Sequence, residues 1–385
     1  MMPMRRGLRL EDSKKLIKFE TVRQEIAEEH DLKGPDIVVK MSDVRINNEL
    51  NMELPGIGSY VMTDWAKHQL GQKLGIQWDK WFNTKWVNPA MIQEELQRRF
   101  SHSGESCKIR TKRYRKGAPG LKVADGYMRA VLSPTYEPID DEKIFDRCER
   151  KFTSQLETLG FMKDHHNRNA VWGNDHCNYY TLVSSEPINL GDIDRNHPNP
   201  DVRKIYDIAE REGKLPEADY VYPGLTMRNS EVGYTAVIVD EFSFRLVCLN
   251  GMIMSTGDSR LLYRQHRPIE EAALDKQLGD VFSKLDSRWL LTKHRLQLLS
   301  GITIYDAEKE IEAQLNKLEA TKLFIKAAQD AFKLEPLDNM YGVLQAITRA
   351  AQGVNEDMDK RVDLEEMAGR LLAKAPSLTA LVAAA

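Results

Sequence analysis

Between Lys108 and Lys116 the chain carries Lys108, Arg110, Lys112, Arg113, Arg115 and Lys116, with no acid among them. Basic side chains at this density suit a polyanion, because each one that meets a phosphate releases a condensed counterion. The Asp125-Gly126 pair just downstream is a two-residue hairpin signal. A type I′ turn there sets Lys122 opposite Arg129 with Tyr127 beside them, and gives Leu121, Val123, Met128 and Ala130 the core face. Like charges across a ladder cost roughly a few tenths of a kcal/mol. An anion lying on that face offsets the cost; a solvated face whose charges point apart is the alternative. A second basic group gathers Arg260, Arg264, His266 and Arg267 around Tyr263. Two basic groups that each hold a tyrosine suit backbone neutralisation with base stacking, as in single-strand binders.

Other candidate chemistry is thinner. Asp164-His165-His166 and Asp175-His176-Cys177 offer residue types that bind zinc, but their spacing matches no closed tetrahedral site. No metal is therefore expected at His165, His166, His176 or Cys177. No phosphate loop, nucleophile elbow, HExxH or CxxC is present, so no cofactor and no catalytic residue is assigned. Trp65, Trp78, Trp81, Phe82 and Trp86 concentrate aromatics and read first as a helical layer on a sheet, second as a stacking or partner surface.

The elements that must position these groups follow from patterning. Leu225 to Ile253 is the densest strand signal: Tyr234 to Val239 is apolar at nearly every position, and Phe242, Phe244, Leu246 and Cys248 alternate with polar residues. The apolar run should be covered on both faces, as a central strand is. Asp240-Glu241 occupies the place of a hairpin turn and Asn250-Gly251 that of a second. Strands are also expected at Ile37–Val39, near Val44–Ile46 and at Tyr179–Ser184. Helices are expected from Asp12 to His30, after an N-cap at Thr63, from Pro89 to Phe100, and from Asp140 or Asp141 to about Gly160. From Pro268 the chain reads as helical, through Asp286–Ser300, Asp306–Phe332, Asn339–Gln352 and Asp363–Ala373. The fold class is α+β, a mainly antiparallel central sheet covered by helices with a helical C-terminal third. The expected organisation is a helical segment at 1–34, a core at 35–300 with a loop excursion at about 191–223, packed helices at 301–375 and a tail at 376–385.

Composition sets bounds. The 385 residues are 42 % hydrophobic and 29 % charged, with a formal net charge of −3. This balance excludes a globally basic nucleic-acid binder and confines any anion-binding surface to a patch. Cys107, Cys148, Cys177 and Cys248 are dispersed, which with no signal peptide points to reduced thiols in the cytoplasm. No apolar run is long enough for a membrane helix.

The pieces GIGSY (56–60), RAVLSPTYEPID (129–140), NSEVG (229–233), FRLVCLNGMI (244–253) and YGVLQAITRAA (341–351) resemble, in order and spacing, the phage- and plasmid-encoded proteins built on domain of unknown function 932. Pro134 departs from that family, which more often has Asp after the Ser. The resemblance implies a mobile-element origin and a cytoplasmic location in a bacterial host, and no activity. The leading expectation is a nucleic-acid-binding protein, single strands favoured, with single-strand DNA binding or annealing in replication or recombination as its narrower form. A non-catalytic interaction protein and a metal-dependent hydrolase are the alternatives, and homo-oligomerisation stays open. If Lys108–Lys116 with Lys122 and Arg129 neutralise about six phosphates of one strand, log K should fall against log salt with a slope of roughly −4.

Overall fold

The computed structural model describes residues 16–77, 88–114, 124–156, 159–162, 171–173, 176–184, 188–192, 203, 207, 210–211, 218–245, 252–267, 270–334, 336–354 and 358–375. The fold is α+β with a helical C-terminal region, and its strands form two sheets. The smaller sheet contains β2 (Ile37–Lys40), β3 (Arg45–Ile46), β4 (Met52–Leu54), β5 (Gly58–Met62), β6 (Ser106–Arg113) and β7 (Gly126–Leu132), in the order β2-β6-β7-β5-β4-β3. The larger one has the path β1 (Leu16–Ile17), β8 (Leu159–Met162), β10 (Asn178–Ser184), β12 (Ala218–Asn229), β13 (Val237–Arg245) and β14 (Met252–Arg264). To these, β9 (Val171–Gly173) adds on β10 and β11 (Ile188–Asp192) on β12. All its pairings are antiparallel; in the small sheet β5 and β7 run parallel.

The helices are α1 (Phe19–Asp31), α2 (Asp64–Leu74), α3 (Pro89–His102), α4 (Asp141–Leu156), α5 (Glu271–Ser283), α6 (Leu285–Ser300), α7 (Ala307–Asn316), α8 (Lys322–Leu334), α9 (Met340–Gln352) and α10 (Met358–Ala373). Thr63 caps α2 by accepting from the Ala66 N–H at 3.2 Å, as its residue type suggests. The expected helix over 306–332 is two helices, because Glu319 takes a left-handed conformation (φ 60°) between them. On one face of the large sheet Leu225, Met227, Val237, Val239 and Leu262 pack against Phe19 and Val22 of α1, Phe145 of α4 and Leu278 of α5. The C-terminal helices build a second core around Leu296, Leu315, Phe324, Val343 and Leu371, and α9 and α10 pack on β14. The small sheet has its own core, in which Met62, Ile109, Met128 and Val131 meet Leu70 of α2 and Leu96 and Phe100 of α3.

Three expectations about hairpins need correction. The segments around Gly126 and Val237 lie in different sheets. Both edges of β7 are taken at Tyr127, which faces Lys112 of β6 and Val61 of β5, and the expected partner strand at 121–123 lies outside the described residues. Asp125 does not turn a hairpin; its N–H donates to the Ser59 carbonyl at 2.7 Å and its carboxylate accepts from the Ser59 N–H at 2.8 Å. Asp240-Glu241 is not a turn either. Both lie inside β13, at a register shift against β14, and burial there is met by polar partners: Asp240 accepts from Arg228, Glu241 from the Thr292 hydroxyl of α6. β13 lies between β12 and β14, as its apolar run requires. Asn250-Gly251, Trp78, Trp81, Phe82 and Trp86 lie outside the described residues.

Arg228 also donates to Glu366 of α10 at 2.7 Å, so one buried guanidinium joins the large sheet to the C-terminal helices. Removing one side of a buried pair costs roughly 3–5 kcal/mol. Arg228→Ala should lower stability by about that amount in urea denaturation. A loss under about 1 kcal/mol would put this contact among exposed ion pairs and remove it as a joint.

Candidate functional site

The basic face of β6 is where the expected site should be. In β6, Cys107 and Ile109 face the small-sheet core, which turns Lys108 and Arg110 to the opposite side. That side is covered by protein. The segment after β7 and the loop joining β12 to β13 lie over it and bring their own acids. The Arg110 guanidinium donates to Asp36 at 2.8 Å, to both oxygens of Asp140 at 3.0 and 3.3 Å, and to the Glu231 carbonyl at 2.6 Å. Lys108 donates to the Tyr136 carbonyl.

Arg129 arrives by a different device. The β6–β7 register shifts between Arg110 and Thr111, which face Ala130 and Met128, so Arg129 is the extra residue of a β-bulge. Met128 and Val131 therefore share the small-sheet core, while Ala130 and Leu132 turn to Val232, and the single core face expected for Met128 and Ala130 is split. The bulge aims Arg129 at the Glu231 carboxylate, 3.0 Å away, and Lys33 Nζ reaches the other oxygen at 2.6 Å. The Asp141 N–H donates to Glu231 as well, at 3.0 Å.

Asp141 opens α4 with its carboxylate buried. Tyr180 Oη donates to it at 2.6 Å, Asn178 Nδ2 at 2.7 Å and Asn229 Nδ2 at 2.6 Å. Burial, then the charge of Glu231, pushes its carboxyl above the usual range despite those donors. Burial alone would raise Glu231 too, but Arg129 and Lys33 overcome it and hold that carboxyl well below. The ion pairs of Lys33, Arg110 and Arg129 reach Asp36, Asp140 and Glu231, whereas Asp141 is held by the uncharged donors Tyr180, Asn178 and Asn229. His266 borders the cluster, stacked on Tyr136 at 5.3 Å with Nδ1 accepting from the Ile139 N–H at 3.0 Å. Burial, then Arg110, lowers its imidazole to about 4.

The 229–233 loop is seated tightly. The Val232 carbonyl accepts from Trp65 Nε1 at 3.0 Å and Gln69 Nε2 at 2.8 Å, both on α2. Gly233 adopts φ 82°, and a Cβ there would come within 2.6 Å of Leu132 Cδ2. Around this loop Trp65 stacks on His68 at 5.2 Å, approaches His176 at 5.1 Å and meets Tyr234 edge-on at 5.1 Å.

Of the remaining candidates, Lys112 pairs with Glu29 and Arg113 is exposed with Nη2 donating to the Asp31 carbonyl at 2.7 Å. Tyr127 is half-buried, edge-on to Tyr114 at 4.6 Å. Tyr263 is 53 % exposed and Arg267 exposed, while Arg264 is half-buried; all three sit at the end of β14 beside His266. Arg260 lies within β14, and Arg115, Lys116, Lys122, His165 and His166 lie outside the described residues. His176 packs among the rings, and buried Cys177 directs Sγ to the Asn178 carbonyl at 3.8 Å. Among the described residues no group of three metal-binding side chains forms. An open cleft of about 890 Å³ lies elsewhere, beside Asn47, Glu49 and Glu53, where Gln93 and Gln97 bond to the main chain of β3.

Sequence reasoning missed Glu231 and Asn229, counted His266 in a basic group where burial instead lowers its imidazole, and took Asp140 and Asp141 only for helix caps. Asn229-Ser230-Glu231 did leave a signal, a polar triplet inside the most apolar stretch of the chain. No family model matches the chain, and neither the curated proteins nor the solved structures contain a match to it.

Glu231→Gln removes the charge on which Lys33 and Arg129 close and should cost roughly 3–5 kcal/mol in chemical denaturation. His266 and Asp141 enter the pH profile with opposite signs, so His266 is read from the difference between wild type and variant. The unfolded chain protonates its imidazole near pH 6.5, the folded one only near 4, so the His266 contribution falls as pH drops through that window and levels off below it. His266→Asn keeps an acceptor for Ile139 and should remove that fall, leaving a profile that loses less stability, or gains more, toward acid than wild type. A denaturation series from pH 7 to 4 with an unchanged slope would assign it to other groups.

Proposed function

We propose that this protein binds single-stranded nucleic acid, as a member of the mobile-element group it resembles, with a role in replication or recombination. One observation carries the reading. At the seam between the sheets, Trp65, His68, His176 and Tyr234 bring rings from three separate segments together, with His68 exposed and Tyr234 40 % exposed. Rings gathered at a surface suit successive bases because every base has a π-face. A second exposed group supports it, since Tyr263 and Arg267 are exposed on either side of His266, which stacks on Tyr136.

The charge available to a strand is smaller than the sequence count. Lys108, Arg110, Lys112 and Arg129 serve internal acceptors; we count Arg113, exposed with one N–H on the Asp31 carbonyl, together with Arg115, Lys116 and Lys122, which lie outside the described residues. The second reading, a non-catalytic interaction protein, is favoured by the exposed Leu290 of α6 and Leu323 of α8.

A gel-shift and salt titration with single-stranded DNA tests both. Four cations predict a slope of roughly −3 in place of −4, taking about −0.7 each. Replacing Arg113, Arg115 and Lys116 by Ala should flatten it by about two units, and Lys112→Ala should leave it alone. Tyr234→Ala should weaken binding by roughly 1–3 kcal/mol with little change in slope. Absence of binding at low salt would sink the reading and leave the interaction protein.

A further inference from the structure

Sheet edges expose unpaired main-chain groups unless something closes them. The β3 edge of the small sheet is closed by α3: Gln97 accepts from the Ile46 N–H at 3.2 Å, and Gln93 donates to the Ile46 carbonyl at 2.9 Å. In the large sheet α10 packs on β14. The opposite edge of the small sheet is β2, which pairs only with β6, and among the described residues no hydrogen bond closes its outer side.

The direction of its main-chain groups can be worked out. Lys40 pairs with Ser106, and the next residue, Met41, donates its N–H to the Glu105 carbonyl at 2.9 Å. Met41, Val39 and Ile37 therefore turn their N–H and C=O toward β6, and Lys40, Val38 and Asp36 turn theirs outward. The same three outward residues share one face of the strand. Val38, an apolar side chain on a four-residue edge, is 58 % exposed there, with Asp36 and Lys40 exposed on either side.

We propose that β2 is a self-complementary edge that pairs antiparallel with β2 of a second copy of this chain about a two-fold axis at Val38. In that register Val38 lies opposite Val38 of the partner subunit, and Asp36 opposite the partner's Lys40 on each side of the axis. The contact is isologous, as a closed two-fold interface requires. A lysine on an edge strand ordinarily repels another strand; here the two-fold register converts it into two opposite-charge pairs. Sliding the strands by two residues loses these pairs, because Val38 then faces Lys40 or Asp36. The Asp36 carboxylate is held by Arg110, which fixes it on this face without displacing it from the edge. The two small sheets would run on as one across the dimer.

Two measurements on the full chain decide the matter. Sedimentation should show a wild-type dimer in reversible equilibrium with monomer, and Val38→Pro and Lys40→Glu should each be monomeric at the same concentration. Proline at Val38 removes only an outward N–H and leaves the β6 ladder intact; Lys40→Glu serves if that variant fails to fold. Val38→Cys supplies the register. Opposed residues of a hydrogen-bonded antiparallel pair lie about 5.5 Å apart at Cα, within reach of a disulfide. Mild oxidation should therefore give a covalent dimer absent from wild type. Lys40→Cys should give none, since two copies of residue 40 would lie about 14 Å apart. A monomeric wild type, a dimer that survives in either folded variant, or cross-linking through residue 40 in preference to 38 overturns the proposal.

Discussion

The charge of Glu231, 2 % exposed at its side chain, is the constraint on which the arrangement depends. An isolated carboxylate in that position would be driven to neutrality. It stays ionised because Lys33, Arg129 and the first N–H of α4 converge on it from three stretches of the chain. The small sheet supplies Arg129 and, against the Glu231 carbonyl, Arg110. The large sheet supplies the loop that carries the acid. Displacing any one contributor leaves an opposite charge buried, so the two sheets are held to one relation more strictly than apolar contact would hold them.

Around that point the structure keeps its polar accounts in layers. Arg110 bridges Asp36 and Asp140, Asp141 collects Tyr180, Asn178 and Asn229, and His266 stays neutral against Tyr136. Both carboxylate oxygens of Asp140, Asp141 and Glu231 are engaged by protein donors, so the cluster joins the two sheets. What remains for a ligand lies at its margin, in the rings around Tyr234 and the cations beyond Arg113.

Much of the fold was legible. The α+β class and the helical C-terminal third follow from periodicity, and the Thr63 cap from its residue type. Local turn chemistry misled at Asp125-Gly126 and Asp240-Glu241, where Asp125, Asp240 and Glu241 are needed for distant partners, Ser59, Arg228 and Thr292. The density of basic residues from Lys108 was legible, but the strand that carries Lys108 and Arg110 was not read, and the anion was sought on a Lys122–Arg129 face. Spacing could not reveal that the anion is the protein's own, because Glu231 follows Arg129 by 102 positions. Nor could it reveal the bulge at Arg129, which depends on the β6 register and leaves no mark in residue type.

That separation in sequence has a consequence during synthesis. Every strand of the small sheet lies between Ile37 and Leu132, so the sheet is complete on the nascent chain well before its acid is made. At about 5–20 residues per second, roughly 5–20 s pass between Arg129 and Glu231 leaving the peptidyl-transfer centre. During that interval Arg129 has no Glu231 to meet, while Lys108 and Arg110 already have Tyr136, Asp36 and Asp140 within the chain made so far. The half-made chain and the finished one are thus different objects to any polyanion nearby, the ribosomal RNA included.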